Sequence, residues 1–179
     1  DETAQQVQTQ VLADQRVRGL AYGGGGPFLV EVFGVIPATD GDLTEATSAC
    51  RGRSCYKTVL YNFGANSTTT VISDVESGAI LDVATLPDVQ PDVPPHLAAL
   101  AVEIARAAPE VQQELQMVPP ADMATMEATK TNVSNSRCER SRHLCVAPIF
   151  LWGERALWAV TDLTDLALIG VQWTDLGVS

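Results

Sequence analysis

Three things are scarce in this chain, and each scarcity removes a class of function. Histidine occurs only as His96 and His143. A hydrolase triad needs a nucleophile, a base and an orienting group together. Ser54, Ser141 and His143, near the cysteines, do not supply that set. Basic residues are outnumbered: 11 Lys and Arg stand against 22 Asp and Glu, for a net charge of −11. Phosphate binding needs a basic face, so nucleic acid is not an expected partner. Nor is an anionic membrane surface. No apolar run approaches the roughly 20 residues needed to span a bilayer, so no membrane insertion is expected.

What is present is a globular composition. Of the 179 residues, 46% are hydrophobic and 18% charged, which favours a packed core over disorder. The length suits one ordinary domain or two small ones. Asp1-Glu2-Thr3-Ala4 reads as the polar start of a mature secreted protein whose leader has been removed. Asn66-Ser67-Thr68 and Asn132-Val133-Ser134 match the glycosylation sequon.

The cysteines form two tight pairs, Cys50 with Cys55 and Cys138 with Cys145. Structural zinc sites usually carry Cys-x2-Cys knuckles or accompanying histidines; the spacings here are Cys-x4-Cys and Cys-x6-Cys, and only His96 and His143 exist. The pairs read as local disulfides formed in an oxidising compartment, although other connectivities remain open. Arginines crowd both pairs: Arg51 and Arg53 at the first, Arg137, Arg140 and Arg142 at the second.

The two halves repeat one another. After Cys55 come Tyr56–Phe63, a Gly/Asn turn, Val71-Ile72-Ser73-Asp74 and then Ala79-Ile80-Leu81. After Cys145 come Val146–Trp152, a Gly153-Glu154-Arg155 turn, Ala159-Val160-Thr161-Asp162 and then Ala167-Leu168-Ile169. A repeat of this length predicts two similar modules, each with its own cysteine-closed loop.

Residues 2–16 have apolar positions at helical spacing, ended by Gly19 and by Gly23–Gly26. Phe28–Ile36 is a β-branched and aromatic strand. Strands over Tyr56–Phe63, Thr68–Ser73 and Ala79–Ala84 follow as a meander. Leu97, Leu100, Ala101, Ile104 and Ala105 mark a helix, which Pro109 breaks before a second short helical piece. Met123–Val133, Val146–Trp152, Arg155–Thr161 and Ala167–Trp173 read as strands. The predicted fold is α+β: two tandem modules, each a helix packed on a four-stranded antiparallel sheet. Residues 1–86 form the first module, 87–95 a Pro-rich connector and 96–179 the second.

Asp74–Leu81, Leu86–Pro91 and Ile104–Gln112 resemble the small N-terminal domains of copper amine oxidases, which are similar to PepSY-type and cystatin-like modules. The resemblance spans residues 55–116. It implies a helix-on-sheet fold and an extracytoplasmic, non-catalytic role. A histidine-rich copper site and an Asn-Tyr-Asp cofactor precursor are missing, and Tyr61-Asn62 is simply a strand end. No catalytic residue can be carried over.

Other candidates are weaker. Gly23–Gly26 lacks the Lys-Ser/Thr of a phosphate loop and precedes a strand. Asp40, Asp42, Thr44 and Glu45 offer calcium-like oxygens without the EF-hand pattern. His96 reads as a solvated helix start, and Trp152, Trp158 and Trp173 as mostly core. No metal, cofactor or catalytic residue is therefore expected. Arg137, Arg140 and Arg142 could receive an acidic surface, including that of the same protein. The chain reads as a secreted, non-enzymatic structural or interaction protein that assembles with copies of itself, as in an extracellular filament. The alternative is a PepSY- or cystatin-like protease inhibitor, or a module that binds another extracellular protein.

Overall fold

The computed structural model describes residues 1–23, 29–124, 129–130, 137–139 and 142–177. The fold is α+β, with antiparallel strands in two sheets. The chain divides into two compact units, Asp1–Asp92 and Val93–Ser179. Among the described residues each carries two α-helices; unit 1 was expected to have one, and unit 2 a helix followed by a second short helical piece.

In unit 1 the helical segment is broken into α1 (Glu2–Ala13) and α2 (Gln15–Tyr22). Asp14 makes the break. Its backbone is extended, and its carboxylate accepts a hydrogen bond from the Val17 N–H at 3.1 Å, the geometry of an N-cap. Gly19 does not stop α2. The helix ends at Gly23, whose left-handed backbone favours glycine.

Four strands follow: β1 (Val30–Pro37), β2 (Cys55–Asn62), β3 (Ser67–Asp74) and β4 (Ile80–Pro87). They lie in chain order, each antiparallel to its neighbour. β4 extends to Pro87, into the stretch expected to begin the connector. Val7, Val11, Val17 and Ala21 from the helices share one buried cluster with Leu60, Val71 and Val83 from the strands. Burial of each valine or leucine stabilises by about 1.5–3 kcal/mol. Phe33, Tyr61 and Phe63 form a separate aromatic group, with ring centroids 4.9–5.9 Å apart.

Unit 2 holds α3 (Pro95–Ala107), α4 (Pro109–Leu115) and strands β5 (Thr129–Lys130), β6 (Cys145–Ala147), β7 (Ile149–Trp152), β8 (Arg155–Asp162) and β9 (Ala167–Asp175). Pro109 opens α4, as expected for a residue that lacks an N–H. The expected strand over Val146–Trp152 is interrupted at Pro148, which cannot donate to a ladder. β6 and β7 nevertheless keep one register along β8: Cys145 faces Asp162, and Ile149 faces Trp158. They occupy a single lane, so the sheet has four lanes. Of the strand expected over Met123–Val133, Ala124 bridges to Phe150 and Thr129–Lys130 pairs with β6. Its remaining positions after Ala124 lie outside the described residues. Val102, Ala105, Val111 and Leu115 share a buried cluster with Phe150, Leu157 and Ala159.

The repeat in the sequence is a repeat of register. Cys55 faces Asp74 in unit 1, and Cys145 faces Asp162 in unit 2. The β3–β4 ladder shifts between Ile72 and Ser73. The β8–β9 ladder shifts at the matching place, between Val160 and Thr161. A shared bulge position is a stronger sign of one module used twice than strand count alone.

Candidate functional site

The two cysteine loops are the sites the sequence marks out, and each is fastened twice. The first fastening is a disulfide. Cys50–Cys55 and Cys138–Cys145 are both bonded, each with Cα atoms 5.7 Å apart. All the cysteines are buried.

The second fastening is a buried aspartate, which in the sequence shows only as a marker of the repeat. Asp74 is 3% exposed and Asp162 0%. A buried carboxylate is costly unless it is hydrogen-bonded and neutralised. Asp74 accepts from the Glu76 N–H at 3.1 Å and the Ser77 hydroxyl at 2.9 Å. Arg53, two residues before Cys55, lies 3.5 Å away. Asp162 accepts from the Thr164 and Asp165 N–H groups at 2.8 and 3.1 Å. Its other oxygen meets His143, two residues before Cys145, at 2.7 Å, and the Arg137 Nε at 3.4 Å. Arg137 also pairs with Asp165. In each unit, then, a basic side chain of the cysteine loop closes onto the aspartate at the end of the following strand.

His143, Asp162 and Asp165 each offer one ligand atom, all within 4.8 Å of one another. Such a trio has the right chemistry for a divalent cation. The Arg137 guanidinium already lies against both carboxylates, so the positive charge at this place is supplied by the protein itself.

The expected basic cluster thus divides. Arg137 is committed to Asp162 and Asp165. Arg142 is exposed and has no side-chain partner among the described residues. Arg140 lies outside the described residues, as does Ser141. In unit 1, Arg53 is committed to Asp74 and Arg51 is exposed.

Of the calcium-like group, Asp42 is otherwise engaged, while Asp40 and Glu45 are exposed. Asp42 takes the Lys57 ammonium at 2.8 Å and the Thr39 N–H at 2.8 Å. The bond from Lys57 is the main cause that holds its carboxyl down, from 3.8 to about 2. Gly23 caps α2, and the rest of the glycine run lies outside the described residues. His96 is exposed near the start of α3. The Asn66 sequon falls on a buried side chain that accepts from Gln90 at 3.2 Å, and Asn132 is not among the described residues. Trp158 and Trp173 are half-buried and hydrogen-bonded to Thr174 and Glu114. Trp152, expected in the core, is 45% exposed.

One further feature lies beside the second loop. The turn between β8 and β9 places Leu166 at φ +55°, where the matching turn of unit 1 places Gly78 at φ +73°. Leucine in this region is disfavoured by contact between its Cβ and the backbone. Leu166 is also 57% exposed. It borders an open groove of about 450 Å³ lined by Ile104, Ala107, Pro109 and Leu168, among others.

No protein-family model matches this chain, and no curated protein matches it.

Proposed function

We propose that this is a secreted, non-enzymatic structural protein that assembles with copies of itself through the open edges of its sheets. One observation carries the reading. Each sheet ends on a long strand laddered on one side only among the described residues: β4 on β3, and β9 on β8. An unpaired edge offers a row of N–H and C=O groups to another chain. β9 has neither proline nor a basic residue along its nine positions, the devices that commonly blunt an edge. Large apolar side chains stand exposed in each unit: Leu86 and Val89 at the end of β4 and just after it, and Leu151 and Trp152 on β7, across β8 from β9. Scattered exposed apolar residues are ordinary, but placed near strand edges they favour association.

The two disulfides support an extracellular setting. No helix among the described residues is long and apolar enough to cross a membrane. The internal repeat supports the PepSY- or cystatin-like reading of each unit, a helical layer against a four-lane sheet. That likeness is one of architecture and assigns no activity.

Negative-stain electron microscopy over a range of concentrations, with a sizing column alongside, tests the proposal. Fibres or a ladder of oligomers are expected. Monomers under every condition would overturn it.

A further inference from the structure

We propose that Arg142 and Leu166 of unit 2 form a docking surface for the acidic β4 edge of a second copy, around Leu86, Asp88 and Val89. This deepens the self-assembly reading and rests on it.

Three observations converge on the donor side. Arg142 is exposed and unpartnered among the described residues, while Arg137 and His143 of the same loop are bound to Asp162. His143, next to Arg142, is held by Asp162 at 2.7 Å, and Cys145 by its disulfide, so Arg142 adjoins anchored residues. Leu166 holds a disfavoured backbone conformation and an apolar side chain in water, where unit 1 manages the same turn with glycine. Strain of this kind tends to persist where function requires it. The two residues are neighbours of a contacting pair: His143, next to Arg142, lies 3.9 Å from Asp165, next to Leu166.

The occupant follows from charge. Between Lys57 and the end of unit 1 the sequence contains no Lys or Arg, yet it carries Glu76, Asp82, Asp88 and Asp92 besides the buried Asp74 that Arg53 holds. β4 and the residues after it lie in this stretch. Leu86 is 53% exposed, Val89 is exposed, and Asp88 between them is exposed with no side-chain partner among the described residues. An apolar pair flanking a carboxylate complements an apolar leucine beside a guanidinium. A sulfated polysaccharide is a poorer match, because a chain of net charge −11 repels a polyanion. Unit 2 of one copy meeting unit 1 of the next is a head-to-tail contact. Unless it closes into a ring, such a contact builds a filament.

Sedimentation velocity of the full chain, at low and at about threefold higher salt, reads the association constant directly. Arg142→Glu is expected to weaken association about tenfold or more, as is Asp88→Arg. The double charge reversal is expected to restore it substantially. Leu166→Gly is expected to weaken association while the protein melts no earlier than wild type, which separates lost docking from lost folding. Arg51→Glu, in the other loop, is expected to change association less than about twofold. Wild-type assembly that ignores both Arg142→Glu and Leu166→Gly would overturn the docking surface and leave self-assembly standing. Loss of assembly in both charge variants without rescue in the double variant would overturn the pairing of Arg142 with Asp88. An Arg142→Glu variant that assembles normally but loses binding to a sulfated polysaccharide would assign the surface to that partner instead. A wild type that never assembles would overturn both readings.

Discussion

The two cysteine loops solve one problem with different residues. Each must hold a short crosslinked loop against the start of a strand, and each does so by closing a cation over a buried aspartate. Unit 1 uses a single arginine, Arg53, on Asp74. Unit 2 uses His143 and Arg137 on Asp162, and adds Asp165 as a second carboxylate. The shared part follows from register: the second cysteine of each pair faces the aspartate across the ladder. The elaborated part is confined to unit 2, which also carries the strained Leu166. The shared geometry is what fastens both loops, and at this place the copies part at Asp165 and Leu166.

The largest effect should come from the buried aspartates. Asp162→Ala removes the acceptor for two N–H groups and two basic side chains. It is expected to cost about 3 kcal/mol in urea unfolding. Asp74→Ala, which loses fewer and longer contacts, is expected to cost about 2 kcal/mol. An equal cost would mean that the extra partners of Asp162 contribute nothing. Next come the disulfides. Because both close short loops, Cys50→Ser/Cys55→Ser and Cys138→Ser/Cys145→Ser should each cost about 2 kcal/mol. A large difference in thermal melting between the two variants would break the symmetry of the loops.

The turn swap is smaller. Leu166→Gly relieves the left-handed leucine and should stabilise by up to about 1 kcal/mol, offset in part by the flexibility of glycine when unfolded. Gly78→Leu should destabilise by a similar amount. A Cβ at this place would meet only the flexible end of Gln10, at 3.5 Å, so the first cost is one of backbone. Calorimetry of both variants reads the difference.

The smallest effect concerns Asp42 and Lys57, a pair without a counterpart in unit 2, where Ala147 stands in the lane position of Lys57. The folded state holds the Asp42 carboxyl at about 2 instead of 3.8. The unfolded chain therefore binds the proton first as pH falls. The contribution is complete above pH 3.8 and is lost as pH falls towards 2. Lys57→Met should flatten that part of the stability–pH curve, with a change below about 1 kcal/mol at neutral pH. An unchanged curve would remove Lys57 as the cause.

The sequence made the repeat, the cysteine pairing and most strands legible, because these are local patterns. It hid what depends on distant partners. Tyr61-Asn62 and Leu151-Trp152 hold the same place in their lanes, yet the first pair is buried and the second exposed. Asn62 donates to the Ala21 carbonyl and Tyr61 packs on Phe33 and Phe63, cover that the strand itself does not encode. The break at Asp14 could have been found, since Asp before an amphipathic run is an N-cap signal. So could the interruption at Pro148. The aspartate fastenings were visible as matching letters, but their role needs the register to bring Asp74 beside Arg53 and Asp162 beside His143. The strain at Leu166 was hidden because leucine gives no sign of a left-handed turn. Only its alignment with Gly78 exposes it.

The central claim is that unit 2 of one copy docks on unit 1 of the next. Doping tests it most directly. An Arg142→Glu chain keeps its own acidic β4 edge, so it can accept one neighbour but cannot pass growth on through its second loop. Electron microscopy of wild type mixed with about one part in ten of this variant should show markedly shorter assemblies, as a head-to-tail contact requires. Assemblies of unchanged length that incorporate the variant throughout would contradict the claim.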